Sequence, residues 1–262
     1  MNYDYIRVTT QASVTTVTLN RPEVLNAIHR PMHDELEAAF DAFAAADDQY
    51  VCVVTGAGER SFCAGSDLKA AAKTGVIAGS YPRHGYAGLI ERHDLAKPVI
   101  AAVNGVAFGG GFEIALACDL IIAADTARFA LPEPLVGAVA LGGGLHRLAR
   151  QIGLKAAMGM ILTSRRVDAA EGLRLGFVNE VVPAAELPAA CQRWCDEILR
   201  GAPLAIRASK ETVMRGLDEA SLEDALHNQQ SYPAFTRWRN AEDTREGPRA
   251  FAEKRPPVWR GV

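Results

Sequence analysis

The sequence predicts a mixed α/β core followed by a helical C-terminal third, and three observations carry that expectation. Val51–Val54, Val99–Val103 and Leu120–Ala123 are short, almost wholly apolar runs, which read as strands buried on both faces. Helical periodicity stands between the first strand-like runs, so strands and helices alternate up to about residue 140. Beyond that point helical segments follow one another, separated by Pro or Gly.

Taken in order, Val14–Leu19 alternates and is rich in Val and Thr, as a half-buried strand is. Pro31–Ala46 carries Met32, Leu36, Ala39, Phe40 and Phe43 at helical spacing. Pro31 sits in its first turn, and Asp34 and Glu35 stand near the positive end of the helix dipole. The connections between strands are expected to run back over the sheet. Thr74–Tyr86, with three glycines and Pro82, reads as a mobile surface loop that could edge a ligand site. Leu187–Leu199, Pro203–Met214, Ser221–Asn228 and Pro248–Lys254 read as helices, with only a brief Asn179–Val182 strand before them. No repeat of fixed period and no low-complexity segment interrupts the chain.

The 262 residues can bury a sizeable core, and one main domain with a C-terminal appendage is expected. Hydrophobic content of 49% and charged content of 23% are those of a soluble globular protein. Net charge is −3 with no long basic run, so nucleic acid is not an expected partner. Neither an export signal nor an apolar run of the ~18 residues that cross a bilayer is present, so a soluble, cytoplasmic protein without membrane contact is expected. The five cysteines, Cys52, Cys63, Cys118, Cys191 and Cys195, are odd in number and read as buried free thiols. Cys191 and Cys195 have no second pair with which to build a metal site. His29 and His33 are spaced like helical zinc ligands but lack a third ligand and an intervening glutamate, so a solvated helix start is expected there, and no metal. Trp238 and Trp259 read as packing residues at a core or a subunit contact.

Three stretches can carry chemistry. Asn104-Gly-Val-Ala-Phe-Gly-Gly-Gly-Phe-Glu113 runs from an apolar strand through a glycine turn into a helix. Its glycines allow a backbone to approach a ligand closely, and unpaired N–H groups at a helix start can hold a negatively charged oxygen. Glu113 falls beside those amides. The alternative is that the glycines serve only helix–strand packing and Glu113 is a first-turn charge. Ser61-Phe-Cys-Ala-Gly-Ser-Asp-Leu-Lys69 likewise places small residues before a helix, where Ser66 or Asp67 could act simply as a cap. Gly56-Ala57-Gly58, just before it, is too short for a dinucleotide fingerprint. In Phe129-Ala-Leu-Pro-Glu133-Pro-Leu-Val-Gly137 two prolines hold an acidic residue. Paired carboxylates are the usual equipment for general acid/base work when their surroundings separate their pKa values.

In this order the three stretches resemble the enoyl-CoA hydratase/isomerase (crotonase) superfamily. The likeness extends to Leu19-Asn-Arg-Pro-Glu-Val-Leu-Asn-Ala27, to Gly137, and to Gly172–Gly176 with Asn179, and so covers nearly the whole chain. The resemblance implies a spiral of repeated strand–strand–helix turns over residues 1–200, carrying the active site. It also implies a helical region at 201–262 for contacts in a homotrimer or a dimer of trimers. It implies that the backbone amides of Ser66 and Gly110 form an oxyanion hole for a thioester carbonyl. Ala64, Ser66, Asp67, Leu68 and Lys69 match the CoA-binding loop, and Glu113 and Glu133 match the two glutamates of the hydratase branch. The implied activity is reversible hydration of a 2-enoyl-CoA. The acyl-CoA is substrate, and no cofactor or metal is required.

Isomerisation on the same scaffold, or a non-catalytic CoA-binding role, are the alternatives. Ser66–Ala72, Phe108–Glu113 and the Glu246–Trp259 ending look like the carnitinyl-CoA dehydratase group. The chain departs from many hydratases at Ala140, where they carry proline, which leaves the acyl preference open.

Overall fold

The computed structural model describes residues 3–74 and 81–262, and of the Thr74–Tyr86 loop residues 75–80 lie outside the described residues. The strands are β1 (Ile6–Gln11), β2 (Val14–Leu19), β3 (Val51–Gly56), β4 (Ser61–Cys63), β5 (Val99–Val103), β6 (Val106–Phe108), β7 (Leu120–Ala124), β8 (Arg128–Ala130), β9 (Val167–Asp168) and β10 (Glu180–Val182). The helices are α1 (Arg30–Ala45), α2 (Leu68–Thr74), α3 (Gly110–Ala117), α4 (Gly144–Ile152), α5 (Leu154–Thr163), α6 (Ala169–Leu175), α7 (Leu187–Leu199), α8 (Pro203–Gly216), α9 (Leu222–Asn228), α10 (Pro233–Arg239) and α11 (Asp243–Ala252).

A larger sheet runs β1-β2-β3-β5-β7-β10 and a smaller one β4-β6-β8-β9. The strands alternate between the two sheets: β3, β5 and β7 pair in parallel in the larger one, and the next strand in each case, β4, β6 and β8, pairs in parallel in the smaller. Each turn of the chain thus contributes one strand to each sheet, which is the expected spiral. Strand β5 is buried along its whole length and β3 and β7 nearly so, as their continuous apolar runs require.

The described residues divide into two compact units. One comprises the residues up to Arg92 with Val99–Gln192, and the other His93–Pro98 with Arg193–Val262. Helices α8 to α11 lie in the second unit. There Asp243 accepts from the Arg260 and Gly261 amides, and Glu246 accepts from Arg255 and from the Val258 amide. These bonds hold the C-terminal tail against α11 and correct one expectation. Pro248 lies inside α11 and does not start it, the helix beginning at Asp243, whose carboxylate with that of Glu246 binds the tail. A second correction is His33, which is buried and not solvated, its Nδ1 accepting from the Ala87 amide at 2.9 Å. All five cysteines are buried and none is in a disulfide. Among the described residues no helix is long and apolar enough to cross a membrane.

Candidate active site

The smaller sheet sets the site. Strands β4, β6 and β8 are parallel neighbours, so their C-terminal ends lie side by side at about 4.8 Å spacing. Ser66 follows the end of β4, Gly110 that of β6, and Glu133 that of β8. The first two loops abut: a Cβ on Gly65, whose φ is +91°, would lie 2.8 Å from the Phe108 carbonyl oxygen and 3.1 Å from the Gly110 nitrogen. Only glycine fits there.

Among the described residues neither backbone amide in question has a hydrogen-bond partner, and the local geometry gives the reason. Ser66 forms a parallel bridge to Ile28, in which Ile28 donates to the Gly65 oxygen at 2.8 Å and the Asp67 amide donates to the Ile28 oxygen at 2.9 Å. That register turns the Ser66 N–H away from Ile28. Gly110 is the first residue of α3, where an N–H has no intrahelical partner. The segment behind Ser66 is braced by Arg21, which binds Asp67 at 3.1 Å, and by the buried Asn26 side chain, which donates to the Ala57 and Ser61 carbonyls. Asp67 also caps α2, accepting from the Ala70 amide at 3.0 Å, so its cap role holds. Ala64 is half-buried, while Ser66, Leu68 and Lys69 are exposed.

Glu113, only 3% exposed, projects from the first turn of α3. Its Oε1 accepts from the Gly144 amide at 2.9 Å, and the Gly142 amide also donates to its carboxylate. Burial pushes its pKa up to about 7, and the charge of Glu133 adds to the rise; the two amides and the Arg147 guanidinium oppose it. Glu133 opens a short 3-10 turn between Pro132 and Pro134. Burial raises its pKa above the usual carboxylate range, and its buried Oε2 has no hydrogen-bond partner among the described residues. A Cβ on Gly109 would meet Glu133 Oε1 at 2.9 Å. The two carboxylates therefore flank one glycine turn and repel one another.

Ser66, Gly110, Glu113 and Glu133 are thus brought together. Gly142, Gly144, Arg147 and Tyr86 belong to the same place and were not singled out from the sequence. The Gly142–Gly144 run could have been found by the criterion applied to Gly109–Gly111, since a Cβ on Gly142 would collide with the Glu113 carboxylate. Arg147 and Tyr86 carry no such local signal.

His84 is buried and pairs through Nδ1 with Glu37 at 2.6 Å. Its neighbours are Asp41 and the buried Arg92, which binds Asp41 at 2.6 Å. Glu37, Asp41 and His84 have the donor set of a metal site, but the Arg92 and Arg83 guanidinium groups already answer the acids.

A family model for enoyl-CoA hydratase/isomerase matches residues 9–262. The chain belongs to that family. This enoyl-CoA hydratase/isomerase family member is 45% identical over 258 residues to a carnitinyl-CoA dehydratase of Proteus mirabilis, covering 98% of each chain. It is 44% identical over 261 residues to a carnitinyl-CoA dehydratase of Escherichia coli, again covering 98% of each. The crystal structure of an enoyl-CoA hydratase from Bacillus anthracis superposes with a TM-score of 0.89 at 33% identity, covering 99% of this chain and 100% of that one. The crotonase fold is therefore shared along the whole chain, and the enzyme is of the class that acts on CoA thioesters.

Proposed function

We propose that the protein adds water reversibly across a 2-enoyl-CoA thioester to give a 3-hydroxyacyl-CoA. The observation that carries this reading is the meeting of a buried and a half-buried carboxylate, both with raised pKa values, with two backbone amides that have no partner among the described residues, at the ends of β4, β6 and β8. The thioester carbonyl accepts from the Ser66 and Gly110 amides, which stabilise the negative charge that develops on its oxygen. Glu113 deprotonates a water, whose oxygen bonds to the β-carbon as the enoyl electrons move to the thioester oxygen. Glu133 then delivers a proton to the α-carbon as the enolate collapses. Two amides and Arg147 favour the ionised form of Glu113, whereas Glu133 has only its own backbone N–H to support a charge and its Oε2 has no donor among the described residues, which supports this division of labour. The pair titrates as a coupled unit that shares one proton.

The loop Ala64–Lys69 offers exposed Leu68 and Lys69 to the CoA portion. No cofactor enters the reaction, and the enzyme is proposed to act in the cytoplasm. The dehydratase relatives favour a particular acyl group, one bearing a trimethylammonium, with the same two glutamates running the addition backwards. The test is loss of ultraviolet absorbance of the conjugated thioester with crotonyl-CoA and with a trimethylammonium-bearing enoyl-CoA. Faster turnover of the latter supports the dehydratase-like reading, and no loss with either, or with longer or aromatic enoyl-CoAs, would sink hydration altogether.

A further inference from the structure

We propose that Tyr86 is a positioning residue that sets the separation of the Ser66 and Gly110 amides, its ring wedged between their two loops. The inference rests on the oxyanion-hole reading given above. Tyr86 is fully buried, and its ring lies so close to Gly110 that a Cβ there would collide with its Cζ and Oη. On the other side the Ser66 hydroxyl donates to the Tyr86 oxygen at 3.3 Å. One side chain therefore touches both residues whose amides must converge on a single oxygen. That hydrogen bond is long against the ~2.7 Å usual between hydroxyls, so ring packing and not the hydroxyl is the main link.

The backbone that delivers the ring is strained. Ala87 adopts φ 57° and ψ 15°, left-handed for a residue with a Cβ, between Gly85 and Gly88, which are also at positive φ. Such a conformation is unfavourable for a residue with a Cβ and persists only where the surroundings over-determine it. Here they do. The Ala87 amide donates to buried His33 at 2.9 Å, His84 binds Glu37, and Arg92 clasps the Gly88 carbonyl at 2.7 Å and Asp41 at 2.6 Å, all fixing the segment to α1 or to itself. Edge-on contacts from His33 at 4.6 Å and Tyr81 at 5.5 Å fix the plane of the ring. A Cβ on Gly88 would meet the Glu37 backbone at 2.5 Å, so the strained turn seats the segment directly on α1 with the Tyr86 ring against Gly110.

The test uses Tyr86→Phe, Tyr86→Leu and Tyr86→Met, with folding checked by circular dichroism. It reads kcat, the Kd of 2,4-hexadienoyl-CoA, and the red shift of that chromophore on binding, which reports polarisation of the thioester carbonyl. Tyr86→Phe is expected to keep kcat and the red shift. Tyr86→Leu is expected to bind the probe, lose the shift and lose ~10²-fold in kcat, the effect of misplacing one oxyanion donor. Tyr86→Met carries the same test should the leucine variant not fold. A leucine or methionine variant that keeps both shift and kcat overturns the inference, as does a phenylalanine variant that loses both. Absence of any red shift in the wild-type protein is a different failure: it overturns the oxyanion-hole reading, and the Tyr86 role with it.

Discussion

At the scale of single residues, the chemistry turns on how burial and backbone donors divide one proton between two carboxylates. Glu113 has its folded pKa raised to about 7, above the ~4.3 of an unfolded chain. The fold thus holds the proton more tightly than the unfolded state does. The stability this confers is fully present below the unfolded value and is lost as pH rises through about 7. Glu113→Gln removes the titration, so the mutant should gain on wild type between pH ~5 and ~8, by up to about 3 kcal/mol. Melting curves across that range check it, and a pH-independent gap would show that Glu113 titrates normally. Glu113→Gln and Glu133→Gln should each bind acyl-CoA yet lose ~10²–10⁴-fold in hydration. Because both groups act in one addition, the double mutant should be far less impaired than the product of the single effects. Near-wild-type turnover in either single mutant rules the two-glutamate mechanism out. Ser66 contributes a backbone amide, so Ser66→Ala should be tolerated and Ser66→Pro, which has no N–H, should lose ~10²–10³-fold in kcat. Equal damage from both would make the hydroxyl the functional group.

At the scale of elements, the Gly142–Gly144 turn before α4 is the device that holds Glu113. Gly142→Ala forces a Cβ onto the Glu113 carboxylate and displaces one of its two amide donors. Removing that donor should raise the Glu113 pKa further, so the pH at which hydration reaches half its maximum should move upward, with kcat reduced. A pH profile superimposable on wild type would show that the turn does not hold the carboxylate. Long apolar elements were legible in the sequence: the bounds of β2, β5 and α7 were read off directly, because continuous or periodic burial leaves its mark on composition. Of the five strands of two or three residues only β10 is legible in the sequence, as Asn179–Val182, whereas β4, β6, β8 and β9 are not. Their identity comes from pairing partners far along the chain, and so few residues cannot display a period.

For the whole molecule, the second unit exposes a run of large apolar side chains on α8 and α9, with Leu217 70% and Leu222 76% exposed, and Val213, Met214 and Leu226 also exposed. Surface of that kind is ordinarily covered by a partner. A trimer or hexamer is the expected state in solution, and a monomeric mass by light scattering at micromolar concentration would count against it. Replacing Leu217 and Leu222 together by Ser should then shift the mass distribution toward smaller species, while leaving the monomer fold intact, because neither side chain is part of the core.

By itself the sequence determined the fold class, since strand and helix patterns are local features written in adjacent residues, and its resemblance to the crotonase superfamily pointed to four candidate site positions. Glu113, Glu133, Ser66 and Gly110 were all identified before any geometry was known. Only the tertiary structure decided what surrounds them. That Gly142 and Gly144 hold Glu113, that Tyr86 lies on Gly110, and that His33 and His84 are buried anchors are contacts between residues 24 to 54 positions apart. Nothing in the local sequence encodes such a contact. It arises when parallel strands bring their ends together and the low dielectric there converts proximity into shifted pKa values.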